Sequence, residues 1–401
     1  MTLADDAANL AGRDPVNKGS IDVTGDGATV NNVVVDAPIN DDWTHVFALF
    51  NLNATEFHVV DDTVRMSTWQ QSKAQDDGTR DVVQLYSYSA RFRRRRATDI
   101  CPETVDRWRT TLLTAAFPVA TQTAATNTYV ILVADPQLGK PGTEQAIENW
   151  RRGVTTHLVT AAGMHASRPL SGIHVAFMGD EVEGVCNNYG NQSHVVELNK
   201  SRQLELDFDM RVWTIKEALR IGVPVSVSSV ISNHGEWTRN GSKDPVTTQG
   251  DNASTHIARQ VRKLFDELAD HGAVPTINWH IGAGDPAVTL RLSGVDCYFS
   301  HGYIEKGRGS SSETRTRNAI ERQILGRTEE LGTTSLFFTA HFHHFYSQEF
   351  EGRTLFGCPA LEAERSSEYM LNQYGVWSPA GMLGLMVGAH NQRGWSNVNV
   401  F

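Results

Sequence analysis

The stretch TYVILVAD at positions 128–135 decides the fold, because an unbroken apolar run rich in β-branched residues ends abruptly at a carboxylate. A run of this length with polar boundaries is typical of a strand buried on both faces. Four later segments repeat the pattern, and each ends at a residue that can bind a metal. They are IHVAFM before Gly179 and Asp180, VSVSSVIS before Asn233 and His234, VDCYFS before His301, and LFFTA before His341 and His343.

Long amphipathic segments separate several of these runs. Helical periodicity predicts helices over 144–162, 196–221 and 253–270,. Strands that alternate with helices indicate an α/β fold. In open α/β sheets functional residues gather at the carboxyl ends of the strands, so we expect the five strand ends to lie close together.

The residues at the five strand ends suit a divalent cation. Asp135 and Asp180 offer carboxylates, Asn233 offers an amide, and the later ends offer imidazoles. This donor set, without a thiol, fits Mn, Fe, Zn or Mg. Each residue alone is more often an ordinary turn or capping residue, so the prediction depends on five suitable residues occurring in order. Two cations about 3.5–4 Å apart would clamp a phosphate for in-line attack by water.

The ordered motifs resemble those of the calcineurin-like metallophosphoesterases, most closely the DNA-repair exonuclease branch. The matching segments are Asp135-Pro-Gln137, Gly179-Asp-Glu-Val-Glu183, Ser232-Asn-His-Gly-Glu236, His301-Gly302 and Ala340-His-Phe-His343. The resemblance covers about residues 128 to 345. It implies a four-layer sandwich in which two mixed β-sheets pack face to face between outer helices.

The resemblance also implies a role for each site residue. Asp135, Gln137 and His343 would hold a first metal ion, while Asn233, His301 and His341 would hold a second. Asp180 would bridge both ions and is expected to be catalytic. His234 would act near the leaving-group oxygen as a general acid or stabilise charge in the transition state. Manganese is the expected metal, with Fe, Zn or Mg as alternatives.

Three positions depart from the family pattern. Gln137 stands where the family usually has histidine, and an amide oxygen is a harder and weaker ligand that favours Mn or Mg,. The acidic residue after Asn233 and His234 is displaced by one position to Glu236. Glu183 and Glu236 are the expected supporting carboxylates around the ligands. Ala340 replaces the usual glycine.

Composition divides the chain into four parts. Residues 1–18 are expected to be a disordered N-terminus, and 19–97 a small α+β accessory module. Residues 98–127 are expected to form a helical connector and linker, and 128–401 the metallophosphoesterase domain,.

A predicted strand over 82–94 in the accessory module carries aromatic residues on one face and arginines on the other. The arginines could follow a nucleic-acid backbone while the aromatic residues stack on bases. The alternative is that the aromatic face packs the core of the module and the arginines are solvated. The candidate nucleic-acid contacts are Arg91, Arg93, Arg94, Arg95, Arg96 and, in the later domain, Arg239.

Bulk properties narrow the class of protein. The 401 residues carry a net charge of −10, which excludes the global basic field of a nucleic-acid coat protein,. Four cysteines without a CxxC pair argue against a zinc finger or a disulfide framework,. The polar N-terminus lacks the pattern of a signal peptide, and no apolar run is long enough to span a membrane. We therefore expect a cytoplasmic protein that does not bind membranes.

The expected activity is metal-dependent hydrolysis of phosphodiester bonds, with DNA or another phosphodiester as the partner, as in a DNA exonuclease or endonuclease. A phosphatase or a cyclic-nucleotide phosphodiesterase for small molecules is the alternative. A scaffold that keeps the fold without catalysis is a third class, and it predicts eroded ligands, whereas only Gln137 departs here and it keeps a donor atom. A homodimer is also allowed by the sequence.

Overall fold

The chain forms two compact units, Met1–Ala97 and Thr98–Phe401. The predicted disordered N-terminus and nearly all of the predicted connector fall outside the residues that the structure describes. That structure is a computed structural model, and it describes residues 19–25, 27–39, 42–60, 63–74, 80–94, 126–186, 188–189, 192–237, 248, 250–303, 308–309, 311–363, 370–372, 375 and 377–401.

The first unit contains one antiparallel sheet around a long central strand. Its elements are β1 (Ser20–Val23), β2 (Gly27–Val35), α1 (Thr44–Leu49), a 3₁₀ turn (Ala54–Glu56), β3 (Phe57–Val59), β4 (Arg65–Ala74) and β5 (Arg80–Arg94). The strand order is β1-β2-β5-β3, and β4 also pairs with β5. Strand β5 is the one predicted over 82–94, and it begins two residues earlier.

The aromatic face of β5 lies in the core of the first unit. Tyr88, Ala90 and Phe92 are buried. The Phe92 ring meets the rings of Trp43 and Phe47 edge-on, with centroids 4.9 and 4.8 Å apart. Such edge-to-face pairs are a favoured aromatic geometry. These rings are therefore occupied by core packing and do not offer free faces to nucleic-acid bases.

The second unit has mixed α/β structure with more than one sheet, and this confirms the α/β part of the predicted fold class. Its helices are α2 (Thr143–Ser167), α3 (Gln192–Val195), α4 (Lys200–Leu219), α5 (Ala253–Asp270), α6 (Ser312–Gly326) and α7 (Thr328–Leu331). Its strands are β6 (Thr128–Val133), β7 (Gly172–Phe177), β8 (Val225–Ser229), β9 (Asn278–Ile281), β10 (Ala287–Leu292), β11 (Val295–Ser300), β12 (Leu336–Thr339), β13 (Tyr346–Phe350), β14 (Arg353–Gly357), β15 (Leu383–Val387) and β16 (Trp395–Val400).

These strands form two mixed sheets. The six-stranded sheet has the order β16-β15-β6-β7-β8-β9, and its strands β6 to β9 run parallel. Strands β15 and β16 join it antiparallel. The five-stranded sheet has the order β10-β11-β12-β14-β13, with β11, β12 and β14 parallel.

The two sheets share one apolar core, which explains why the run at 128–133 is apolar throughout. Val130 and Leu132 of β6 belong to the same buried cluster as Phe299 of β11 and Phe338 of β12. The alternate residues of β6 belong to a second cluster with Trp150 of α2 and with residues of α4 and α5. Because successive side chains of a strand point to opposite faces, β6 needs apolar residues at every position. A third cluster joins the five-stranded sheet to α6 and α7.

One helix prediction was too long at its start. The segment predicted as helical over 196–221 begins its long helix only at Lys200, where the side chain of Asn199 caps the first turn,. Glu197 leaves the helical path because its carboxylate accepts hydrogen bonds from the backbone N–H groups of Gly142 and Thr143, at 3.2 and 2.7 Å. A negatively charged side chain at this position stabilises the N-terminus of α2.

No helix in the described part of the chain is both long and apolar enough to cross a membrane.

Buried His174 is expected to make stability depend on pH. Its Nδ1 and Nε2 lie 2.8 and 2.9 Å from the hydroxyls of Ser226 and Ser228. Burial, with a smaller effect from His280, lowers the pKa of His174 to about 3. Since an unfolded histidine has a pKa of about 6.5, the unfolded chain takes up the proton first as pH falls. The free energy of unfolding should therefore be lower at pH 4 than above pH 6.5, by on the order of 3 kcal/mol.

Urea unfolding at pH 7 and pH 4, compared between the wild type and His174→Gln, isolates this contribution. Glutamine cannot titrate, so the variant should lose less stability between the two pH values. Equal losses in the two proteins would show that His174 is not the group responsible.

Candidate metal centre

The seven predicted ligands all meet where strands of the two sheets end. Turns after five of the strands bring them together from distant parts of the sequence. Asp135 and Gln137 follow β6, Asp180 follows β7, Asn233 follows β8, His301 follows β11, and His341 and His343 follow β12. Their assignment as ligands is still a prediction, and the structure shows which of them are neighbours.

A tight group at this centre consists of Asp180, His301 and His341. Each offers a donor atom, and these atoms all lie within 4.8 Å of one another. The Nε2 atom of His301 lies 2.9 Å from Oδ2 of Asp180 and 3.1 Å from Oδ1 of Asn233. A carboxylate, two imidazoles and an amide oxygen therefore surround one small volume, which we call the inner site.

The backbone fixes the donors of the inner site in place. Nδ1 of His301 donates to the carbonyl oxygen of Met178 at 2.8 Å, which turns Nε2 toward Asp180,. Oδ1 of Asp180 accepts the backbone N–H of His234 at 2.9 Å. Oδ2 of Asp180 is buried and faces Nε2 of His301 at 2.9 Å, so two donor atoms of the inner site lie against each other. A cation held between the carboxylate and the imidazole would satisfy both.

The other three predicted ligands form a second group, the outer site, made of Asp135, Gln137 and His343. Nε2 of His343 lies 3.4 Å from Oδ1 of Asp135. Nδ1 of His343 lies 2.5 Å from Oε1 of Glu362, which sequence reasoning did not single out. Oε1 of Gln137 accepts a hydrogen bond from the Lys140 ammonium at 2.8 Å.

Protons balance the carboxylates of the centre where no cation does so. Burial opposes protonation of His301, but Asp180 and Asp135 outweigh it and raise the pKa of His301 to about 9. Glu362 and Asp135 likewise overcome burial and raise the pKa of His343 to about 10. Burial and the charge of His301 lower the pKa of His341 to about 3. A cation at the inner site must displace the proton on His301, so its affinity should increase with pH,.

Unusual backbone conformations mark the same residues. Ten non-glycine residues in the described ranges have positive φ, and five of them are predicted ligands: Asp135 (50°), Gln137 (45°), Asp180 (52°), His341 (71°) and His343 (57°). Left-handed conformations cost energy for residues with a Cβ and are concentrated at functional sites. Gly179 also has positive φ, and a Cβ there would lie 2.8 Å from Nδ1 of His301.

The imidazole of His234 lies beside the inner site, with Nε2 4.0 Å from Oδ2 of Asp180. Its Nδ1 lies 2.7 Å from the carbonyl oxygen and 3.2 Å from Oε2 of Glu183. Burial would lower the pKa of His234, but Asp180 and Glu183 raise it to about 9. The hydroxyl of Tyr189 donates to Glu183 at 2.6 Å. The carboxylate that contacts the His234 imidazole is therefore that of Glu183. Glu236 is buried, and its backbone pairs with that of Asn252.

A cavity of about 300 Å³ opens onto both sites. Besides predicted ligands and His234, it is lined by Lys140, Asn188, Tyr189, Phe342 and Met370. Asn188 donates to the backbone carbonyl of Asn233 at 3.2 Å. This volume is at the small end of ligand pockets.

A fully buried ion-pair network lies beside Asp180. Arg211 of α4 contacts Oε2 of Glu181 at 2.9 Å and Oδ1 of Asp207 at 2.7 Å. Oε1 of Glu181 in turn accepts the backbone N–H of Gly179 at 3.1 Å. The network therefore fixes the turn that presents Asp180. The spacing of Asp207 and Arg211, four residues apart, is the one local signal that could have revealed it.

Arg211→Met is expected to destabilise the protein by about 3–5 kcal/mol, because two buried carboxylates lose their counter-charge. Thermal or urea unfolding at neutral pH measures the change. Arg220→Met is the matched control: Arg220 follows the same helix, is exposed and pairs with Glu217. It should change stability by less than about 1 kcal/mol. Equal effects of the two substitutions would contradict the conclusion that the buried ion pairs of Arg211 stabilise the fold.

The predicted nucleic-acid contacts do not form one described group. Arg91, Arg93 and Arg94 lie on β5 of the first unit. The guanidinium of Arg94 lies 3.8 Å from Glu56 and 5.3 Å from the ring centroid of Phe57. Arg95, Arg96 and Arg239 lie outside the described residues. Nucleic-acid binding by these arginines stays a prediction.

Comparison with known proteins gives only distant likenesses. No family model and no curated protein matches the chain. Among solved structures, a conserved protein of Streptococcus pneumoniae TIGR4 described as a predicted phosphoesterase shares 8% identity over 65% of this chain and 83% of its own, with a TM-score of 0.28. A novel archaeal phosphodiesterase shares 8% over 68% and 99%, with a TM-score of 0.29. Phosphopantetheinyl hydrolase of Mycobacterium tuberculosis shares 10% over 61% and 93%, with a TM-score of 0.26. Scores this low carry no argument about fold or activity.

Proposed function

We propose that this chain is a metal-dependent phosphoesterase that hydrolyses phosphodiester bonds. The observation that carries the proposal is the inner site, where donor atoms of Asp180, His301 and His341 lie within 4.8 Å of one another. Asp180 and His341 also line a cavity. The order of motifs along the chain supports the calcineurin-like superfamily. Two mixed sheets around a shared core, with helix-lined clusters on their outer faces, support a four-layer sandwich.

The inner site fits a divalent cation on its own chemistry. It combines a buried carboxylate oxygen of Asp180 with two imidazoles and the amide oxygen of Asn233. Such mixed oxygen and nitrogen donors suit Mn, Fe or Zn, and manganese is our first choice. A bound divalent cation would supply positive charge that polarises a phosphoryl oxygen.

His234 supplies the proton that the leaving group needs. It lines the cavity, and its Nε2 lies 4.0 Å from Oδ2 of Asp180. The carboxylate and carbonyl of Glu183 hold its Nδ1, so Nε2 is the nitrogen left to face a substrate. With a pKa of about 9 the imidazole is protonated at neutral pH. A general acid in this position contributes about 10²–10⁴-fold to the rate.

Two substrate classes follow from different observations. The arginines of β5 support DNA and an exonuclease or endonuclease activity, as in the DNA-repair branch. The cavity of about 300 Å³ and the burial of the β5 aromatic face favour a small phosphoester, such as a cyclic nucleotide. A phosphatase or small-molecule phosphodiesterase is therefore the second candidate.

A substrate panel separates these candidates. The purified chain, loaded with Mn²⁺, is compared on a phosphodiester chromogen, a phosphomonoester chromogen, cyclic nucleotides, and single- and double-stranded DNA, with an EDTA-treated sample as control. Metal-dependent cleavage of the diesters supports the proposal, and cleavage of DNA selects the nuclease. Activity on the monoester alone would contradict the phosphodiesterase assignment. A metal-loaded protein that cleaves none of them would be a scaffold.

A further inference from the structure

Lys140 lies inside the candidate metal centre although the motif order does not include it. Its ammonium is 2.8 Å from Oε1 of Gln137 and 2.6 Å from Oε2 of Glu362. Its side chain is 17% exposed and lines the cavity. The turn that carries it is closed by a hydrogen bond from its backbone N–H to the carbonyl oxygen of Gln137 at 3.0 Å. Lys140 is thus held in place by both its backbone and its side chain.

The Lys140 ammonium lies beside Gln137, which is a predicted cation ligand of the outer site. The oxygen of Gln137, its predicted donor to a first cation, already accepts a hydrogen bond from Lys140. An ammonium has three donors and no acceptor, so it cannot itself bind a metal. A cation on that oxygen would lie next to another positive charge in a largely buried place, which disfavours binding.

Glu362 connects this ammonium to His343, another predicted ligand of the outer site. Its two carboxylate oxygens contact Lys140 at 2.6 Å and Nδ1 of His343 at 2.5 Å. The Glu362 carboxylate therefore already accepts a hydrogen bond from the Lys140 ammonium, and its other oxygen lies against His343. A second divalent cation at the outer site would have to share Gln137 and Glu362 with this ammonium.

We infer that the chain binds one divalent cation tightly, at the inner site, and that the Lys140 ammonium takes the place of the second cation. In that position the ammonium would contact a phosphoryl oxygen of a substrate in the cavity. Lysine is well suited to this contact because it binds phosphate as a compact point charge. The statement about the substrate rests on the proposed function, whereas the statement about the cation does not.

The inference that one divalent cation binds is tested by measuring how many metal ions the full chain binds. Calorimetric titration with Mn²⁺, and metal analysis after gel filtration, should give one equivalent for the wild type. The paired substitution Gln137→His with Lys140→Met removes the ammonium and adds an imidazole donor, so it should bind a second equivalent. Two equivalents of similar affinity in the wild type would overturn the inference. If the paired variant does not fold, Lys140→Met alone should bind a second, weaker equivalent.

The inference that Lys140 contacts a phosphoryl oxygen is tested by measuring the binding of inorganic phosphate to the Mn²⁺-loaded chain. Lys140→Met should weaken phosphate binding by about 10-fold or more while the affinity for the first Mn²⁺ stays the same, and Lys140→Arg should restore part of the loss. Unchanged phosphate affinity in Lys140→Met would overturn this role. Failure of the proposed function would look different: one tightly bound Mn²⁺ without hydrolysis of any phosphoester.

Discussion

Asp180→Asn is expected to abolish hydrolysis and to release the cation from the inner site. The substitution keeps the shape of the side chain and still offers Oδ1 to the backbone N–H of His234, but it removes the negative charge. Asparagine also tolerates the left-handed backbone at this position, where φ is 52°,. The change therefore tests the charge and not the fold. We expect kcat/KM to decrease by about 10³-fold or more, since it removes both the cation and its electrostatic effect.

The measurement combines kcat/KM on a phosphodiester chromogen with a Mn²⁺ binding titration. Asp296→Asn is the matched control, because Asp296 lies on β11 and pairs with Arg291 outside the centre. It should retain wild-type activity and Mn²⁺ affinity. An Asp180→Asn protein that binds Mn²⁺ as tightly as the wild type would show that the inner site is misassigned.

His234→Ala is expected to retain the cation and to lose rate by about 10²–10⁴-fold. The loss should depend on the leaving group. Substrates with alkyl leaving groups need a proton and should lose most, whereas nitrophenolate leaves readily without one. The wild-type rate on alkyl substrates should decrease as pH rises past the pKa of His234, because the acid form is then lost. A cation on Asp180 removes part of the negative charge, so this midpoint lies at or below about pH 9,.

Exposed His271, which follows α5 and pairs with Glu267, supplies the control substitution His271→Ala. It should leave both the rate and its pH dependence unchanged. Loss of bound Mn²⁺ in His234→Ala would make His234 a ligand and contradict its role as an acid. Equal losses for alkyl and nitrophenyl substrates would also contradict it.

The strand ends could be predicted because their signal is local. The run at 128–133 is apolar at every position, since one face of β6 meets the other sheet and the opposite face meets helices. The residues that follow such runs then lie at one edge by topology alone. Helix α5 shows the same locality: its predicted bounds, 253–270, agree with the structure because Asn252 caps it and its apolar face repeats regularly.

Contacts between distant residues could not be predicted in the same way. Lys140 and Glu362 are 222 positions apart, and nothing in the sequence around either one indicates the pair. Glu183 and Glu236 were both predicted as supporting carboxylates, and only the folded turn shows that Glu183 is the one that meets the His234 imidazole. The substrate is even harder to predict from the sequence, because it depends on the shape of a cavity built by loops that follow several strands.

The pairing of β6 has a consequence for how the protein is made. One neighbour of β6, strand β7, follows it closely in the chain, but its other neighbour is β15. About 250 residues separate β6 from β15, so at about 5–20 residues per second roughly 10–50 s of synthesis pass before the ribosome supplies that partner. Throughout this interval one edge of a strand apolar at almost every position lacks its native neighbour. That edge is therefore open to pairing with other strands during synthesis, and the six-stranded sheet is completed only after β15 emerges,.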